Sequence, residues 1–392
     1  MFRLVALFLI ALGLSAQDAM VTVRKEGARK ETVSLAGLSV SGPNANVFLK
    51  TLQGDLERSG WFRLGPTGSI RVSGRVSDSG SGIASACTVI GSRKQFAWNR
   101  SSPADEVRRQ AHLLADEMVR IFMGETGIAG TRIAVVNHRG PNNADLYVCD
   151  ADGYNMRRVT ANNRAVVGPR WTPDASTIYF TSYVKDFPAI YKVPANGGSL
   201  RALMRFPGLN TGAAISPNGA VAALILSYQG NPELYTLNLR SGLLTRLTTT
   251  KFAAEASPCW SPDGRSIVYV SDPTRAPQLY IVDVASKQSR RLTYRGAENV
   301  NPSWHKNGKI AFATKRGGGY QIAVMDPSRG ESTTEIVGEG ESPSWGADGR
   351  HILCSRGGTG RSAVYMLDTL GDPAVCLTKF SGNWICPNWS PR

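Results

Sequence analysis

A tryptophan-led turn recurs along the last two thirds of the chain: WTPDA at Trp171, ISPNG at Ile215, WSPDG at Trp260, WHKNG at Trp304, WGADG at Trp345 and a cut-short WSPR at Trp389. The intervals are 44, 45, 44, 41 and 44 residues, and five of the eight tryptophans occupy this one position. A second marker keeps step with the first: LYVCD from Leu146, IYKVP from Ile190, LYTLN from Leu234, LYIVD from Leu279, IAVMD from Ile322 and VYMLD from Val364. Two markers held in one register mean one structural unit repeated, and any fold for this chain has to accommodate that period.

Residues 255–293 show what the unit is. The run up to Trp260 leads into Pro262-Asp263-Gly264, where Asp can bond back to the chain and Gly can take positive φ. SIVYVSD alternates with period two, the loop DPTRAPQ follows, then LYIVD, a short turn and SRRLT. Four short strands per unit of this length predict a propeller blade. Six turn positions are present, but the sixth is followed only by the end of the chain. Ahead of the first lie RIAVVNHRG, ADLYVCD and MRRVT, three strands without an innermost one. The expectation is an all-β, six-bladed propeller over residues 129–392, its ring closed by the C-terminal strand around Ile385 to Trp389 pairing with residues 132–160, which leaves no open edge.

Residues 17–128 read as a separate, small mixed α/β domain. NANVFLKTLQGDLERSG places Phe48, Leu52 and Leu56 on one helical face and stops at Gly60. Strand-like runs follow at WFRL, SIRVSGRVS, IASACTVIG and KQFAWNR. A second helix is expected to start at Ser102 as N-cap with Pro103 in its first position, and to end at Gly124. Residues 1–16 carry Arg3, an apolar run from Leu4 to Leu14 and then Ser15-Ala16, the pattern of an export signal. That run is too short to span a bilayer, so the mature chain is expected to have no membrane span and to work outside the cytoplasm.

Composition is consistent with this and excludes other classes. With 41 Gly and 21 Pro the chain favours short strands and turns, and a charged fraction of 19% argues against wholesale disorder. The net charge of +15 is spread without a run of five like charges, and aromatic interleaving is missing from the basic stretches, so nucleic acid is not expected as a partner. Six cysteines show no C-x-x-C, and their pairing stays open, with buried free thiols as the simpler reading. The four histidines, at 112, 138, 305 and 351, have no metal spacing, and no G-x-S-x-G elbow occurs. No catalytic group, metal or cofactor is expected.

Three stretches carry a family resemblance: DLERSGWFRL after the first helix, IFMGETGIAGTRIAVV running into the propeller, and the terminal WICPNWSPR. With the WSPDG units they resemble the TolB family, the periplasmic propellers of the bacterial Tol-Pal system, over essentially the whole mature chain. The chain departs from the family pattern in the short stretch from Gly65 to Ser69, in SIRVSG, and in its strong positive charge. The resemblance implies a non-catalytic periplasmic monomer that supports outer-membrane integrity and constriction at division. Its implied partners are a Pal-like peptidoglycan-associated lipoprotein at the channel mouth, TolA along the N-terminal strand, here Val21, Thr22, Val23 and Arg24, and other outer-membrane-associated proteins. The alternative is an exported propeller acting on or binding anionic peptidoglycan or envelope glycan.

Propeller geometry then points to site residues. The entrances to the innermost strands carry Asn210, Glu255, Asn299, Asn301 and Glu341, polar groups expected to ring the channel mouth. Loops between second and third strands open on the same face and hold Arg139, Lys185, Arg275, Lys315, Arg316, Arg356 and Arg361, a basic rim suited to steering an anionic partner. Arg157, Arg158, Arg246, Arg290 and Arg291 fall on outermost strands and read as edge protection.

Overall fold

Each repeat folds into four antiparallel strands because its apolar residues alternate and its turns supply their own acceptor. The computed structural model describes residues 29–140, 143–161, 164–183, 187–358, 360–379 and 381–392. In it the repeats form six four-stranded sheets. Blade four shows the pattern, with Glu255–Trp260 innermost, then Ser266–Ser271, Gln278–Asp283 and Ser289–Arg291. Its first turn is held by Asp263, whose Oδ1 accepts from Ser261 Oγ at 2.6 Å and from the Arg265 amide at 3.0 Å, while Gly264 takes φ 71°. Asn218 and Asp174 do the same work in their blades. These recurring Asp and Asn side chains are turn formers.

Blade one is assembled from both ends of the repeat array. Trp384–Trp389 is its innermost strand and pairs antiparallel with Arg132–Gly140, followed by Asn143–Asp150 and Arg157–Arg158. Apolar side chains of neighbouring sheets interlock between blades, as where Ala134, Val136 and Leu146 of blade one meet Ile178 and Phe180 of blade two.

Two sets of hydrogen bonds stitch the ring. Within blades, a Thr just past the outermost strand accepts from the third strand: Leu146 N to Thr160 Oγ1 at 3.0 Å, Leu234 N to Thr248 at 2.9 Å, Leu279 N to Thr293 at 2.9 Å and Val364 N to Thr378 at 2.8 Å. The arginine two residues before three of these threonines folds back to donate its Nε to the threonine carbonyl: Arg158, Arg246 and Arg291. Arg158 and Arg246 also reach the fully buried Asp145 and Glu233. These three therefore clasp the blade interior, which corrects the edge-protection reading; the Leu-Thr or Val-Thr that follows each one supplies the carbonyl. Between blades, side chains of one innermost strand accept from the next blade's Trp amide: Ser303 from Trp345, Ser344 from Trp389, Asn388 from Trp171 and Cys259 from Trp304.

The N-terminal unit is a five-stranded sheet in the order Phe62–Leu64, Glu31–Ser41, Ile70–Ser79, Gly82–Ile90 and Gln95–Pro103. Helices α1, Pro43–Arg58, and α2, Val107–Met118, share its core, with Phe48, Leu52 and Leu56 of α1 fully buried. Glu31–Ser41 is a strand that periodicity did not reveal. Ser102 is not a helix cap. Residues 101–103 stay paired with Gly82–Ala84, a short 3-10 turn intervenes, and the Ser102 hydroxyl accepts from Gln110 Nε2 at 3.2 Å. The sheet ladder claims the residues that a cap would have used. Beyond α2 the chain turns through the left-handed Gly124 and is tied back by Asp116, which accepts from the amides of Ala129 and Gly130 at 2.9 and 3.1 Å. At Gly127 a Cβ would lie 2.7 Å from the Asp116 Cα, so only glycine fits there.

The unit docks on the propeller face that carries the Trp turns, through two charge clusters. In the first, Arg58 and Arg108 pair with Asp152, while His112 Nδ1 meets Asp55 at 2.6 Å and its Nε2 lies 3.7 Å from Asp150. In the second, Arg350 stacks over Trp61 and pairs with Asp368 at 2.6 Å and Asp372 at 3.1 Å, and Lys30 reaches Asp372 at 2.9 Å. Among the described residues no helix is long and apolar enough to cross a membrane. The expected leader, residues 1–16, and the strand Val21, Thr22, Val23 and Arg24 lie outside the described residues.

Candidate partner-binding face and channel

Docking of the N-terminal unit leaves the opposite face, where innermost strands begin, clear of it. The residues expected to ring that mouth divide into two groups. Asn210, Glu255 and Asn299 are buried, at 0%, 2% and 1% exposure. Asn210 donates to the carbonyls of Pro188, Phe206 and Gly208 and accepts from the Phe206 amide, bracing its own entry loop. Asn299 donates to Gln278 Oε1 and to the Arg295 carbonyl. These side chains fasten loops and are unavailable to a partner, because the first residue of each of these strands turns into its blade and away from the opening. Neither oxygen of Glu255 has a well-formed hydrogen bond, and burial pushes its carboxyl up to about 7 against the pull of the Ser271 and Thr250 hydroxyls. Glu341 is exposed and Asn301 lines the channel.

Several of the basic residues are matched by acids of their own or the neighbouring blade. Arg139 pairs with Asp145, Lys315 with Glu298 at 2.8 Å, and Arg356 with Glu339 at 3.6 Å. Arg316 is half-buried at the end of its strand, and Lys185 lies outside the described residues. Arg275 and Arg361 are exposed and form no ion pair among the described residues. The rim is thus less positive than its basic residues alone imply.

Aromatic groups, which the charge pattern did not reveal, stand beside this rim. Of eight exposed large hydrophobics among the described residues, Val167, Tyr183, Phe187, Phe252 and Tyr294 lie on this face. Phe252 is 84% exposed and Tyr294 64%, each at the loop leading from an outermost strand into the next blade. Lys251 lies over the Phe252 ring at 5.1 Å and Arg291 over Tyr294 at 4.7 Å. Exposed aromatics beside cations are the composition of protein-binding hot spots. A sequence signal did exist: both rings are single aromatics in polar loops, outside any alternating strand.

Below the mouth the channel is ringed by backbone bulges. Each innermost strand shifts register near its start, and there Gly168, Gly212, Ser257, Asn301, Ser342 and Cys386 all take φ between 49° and 73°. Three of them form a polar collar in which Ser257 Oγ donates to Asn301 Oδ1 at 3.1 Å and Asn301 Nδ2 donates to Ser342 Oγ at 3.4 Å.

Asp55, His112 and Asp152 bring three metal-type ligands together, but Arg58 and Arg108 already satisfy Asp55 and Asp152. The arrangement is an ion network. Burial opposes protonation of His112, yet bonds to Asp150 and Asp55 outweigh it and hold its pKa at about 9. All six cysteines are free.

Comparison with known proteins places this architecture. The family model described as TolB beta propeller domain matches residues 120–392. The Tol-Pal system protein TolB of Bordetella pertussis is 28% identical over 425 residues, covering 98% of this chain and 94% of its own. A protein TolB homolog of Chlorobium luteolum is 26% identical, covering 77% of this chain and 69% of its own. Among solved structures, TolB from Acinetobacter baumannii superposes with a TM-score of 0.81 at 24% identity, over 94% of this chain and 98% of that one.

Proposed function

Since the chain belongs to the TolB beta propeller family, we propose that it is a non-catalytic adaptor of the Tol-Pal system, working in the periplasm after export. In this reading a Pal-like lipoprotein docks on the face opposite the N-terminal unit, and TolA binds along the N-terminal strand at Val21, Thr22, Val23 and Arg24. Outer-membrane integrity and constriction at division are the processes it serves.

The observation that carries the docking assignment is the clustering of Val167, Tyr183, Phe187, Phe252 and Tyr294 on the one face the N-terminal unit leaves free. Exposed apolar groups gathered on one side of a monomer mark an interaction surface. Arg275 and Arg361 add unneutralised positive charge there, which favours a partner with an acidic surface and speeds encounter. The Asn301 collar and Glu341 supply polar contacts at the opening.

The test is titration of the purified soluble domain of the Pal-like lipoprotein against the mature chain. Phe252→Ala and Tyr294→Ala are each expected to weaken binding by about 30-fold, the effect of losing one hot spot of about 2 kcal/mol. Unchanged affinity in both variants overturns the docking assignment. Deleting residues 17–25 is expected to abolish TolA binding while Pal binding persists; loss of both contradicts the separate-site reading.

A further inference from the structure

Arg170 is out of place in the ring of innermost strands. It occupies the last position before the tryptophan of blade two, where the other blades have Ala214, Cys259, Ser303, Ser344 and Asn388. Four of those five accept a hydrogen bond from the next blade's backbone, a role no guanidinium can fill because it has donors only. Arg170 is partly buried in the channel, and its one hydrogen bond among the described residues runs from Nη1 to the carbonyl of neighbouring Pro169 at 3.3 Å. Guanidinium offers five N–H donors in a planar fork matched to oxyanions, so most of its donors remain for something else.

The surroundings say what that is. Arg170 lines both the upper cavity of about 230 Å³, at the bulge collar, and the lower cavity of about 480 Å³, at the Trp turns. Arg170, Lys306 and Arg392 line the two cavities and no aspartate or glutamate does; Arg392 is paired with Asp116 at 3.6 Å, which leaves Arg170 and Lys306 as the cations there without an acidic partner among the described residues. Ser257, Asn301 and Ser342 present hydroxyl and amide groups into the same upper space. Burial pushes the thiols of Cys259 and Cys386 up, and the positive charge of Arg170 is among the influences that pull them back. A cation between low-dielectric walls concentrates anions there, and a space of 230 Å³ is below the usual range for drug-sized ligands.

We propose that the waist of the channel is a binding site for one small oxyanion group, carboxylate or phosphate, gripped by Arg170 and hydrogen-bonded by the Ser257, Asn301 and Ser342 collar. The group has two sources: a free anion, or the carboxylate of a segment that a docked partner threads into the mouth.

The test is calorimetric titration of the full mature chain with inorganic phosphate and, separately, acetate, at fixed ionic strength. One saturable site is expected for at least one anion, weakened at least tenfold in Arg170→Gln and unchanged in Arg240→Gln, an exposed arginine on an outer turn of blade three. No saturable binding overturns the site, as does equal weakening by both variants, which would mark diffuse surface charge. Should Arg170→Gln fold poorly, Asn301→Asp keeps the arginine and places a carboxylate in the collar from the opposite side of the ring; it is expected to abolish phosphate binding, and retained binding refutes the proposal. If Arg170→Gln also weakens the Pal-like partner and phosphate competes with it, the anion is a partner carboxylate; if partner affinity is unmoved, the anion is free. A chain that binds phosphate through Arg170 but no Pal-like protein leaves this site standing while the docking assignment fails.

Discussion

His112 lies between Asp55 of the N-terminal unit and Asp150 of the propeller, and raising the pH should weaken the interface it bridges. His112 is 3% exposed and touches Asp55 and Asp150, which together outweigh burial and hold it at about 9 in the folded chain, against an ordinary 6.5. The sign follows from linkage: a group whose pKa is higher when folded contributes all its stability below about 6.5 and loses it as pH rises through about 9. The interval corresponds to about 3 kcal/mol. His351, between Asp348 and Asp368 beside Arg350, is likewise held at about 9 once the two carboxylates overcome its burial. Melting temperature measured by calorimetry from pH 6 to 9.5 should therefore fall steadily. His112→Gln should lower it at pH 6 and remove somewhat under half of the fall, leaving the part due to His351 and, up to about pH 7, to Glu255. A melting temperature that rises over this range, or a fall unchanged in His112→Gln, refutes the reasoning.

Three further outcomes follow from other buried groups. Glu255 titrates near 7 when folded, so its ionisation opposes folding above its ordinary 4.5; Glu255→Gln should raise stability by about 3 kcal/mol above pH 7 and leave it unchanged below pH 4.5, read from melting curves at pH 4 and 8. Arg350→Ala leaves the buried Asp368 with only His351 and Asp372 with only Lys30, and removes the stack on Trp61; it should cost about 3 kcal/mol by chemical denaturation. Thr248→Val leaves the Leu234 amide of blade three unsatisfied, for a loss of about 1–3 kcal/mol.

The propeller was legible in the sequence because its two markers are covalent necessities of the blade: an acceptor side chain and a glycine at the turn, and an apolar run at the third strand. The helix face Phe48, Leu52 and Leu56 was legible for a similar reason, since the pattern is local. Glu31–Ser41 was not, because its burial alternates poorly and its partners come from residues 62–64 and 70–77. The mouth residues were located but given the wrong exposure. A bulge follows the first residues of each innermost strand, and four of the six bulge positions hold Ser, Asn or Cys instead of glycine. Counting by twos therefore could not say which side chains face the opening. Arg158, Arg246 and Arg291 look like edge charges until the carbonyls they reach, and for Arg158 and Arg246 the buried acids 13 positions back along the chain, are placed beside them.

Hydrogen exchange of the mature chain, alone and saturated with the Pal-like domain, tests the docking face most directly. Slowed exchange is expected in the loops around Phe252, Arg275 and Tyr294 and in the strand starts near Asn301 and Glu341, with the turns after Trp171, Trp260 and Trp304 unchanged. Protection confined to those turns, with the loops around Phe252 and Tyr294 exchanging as in the free chain, would contradict it.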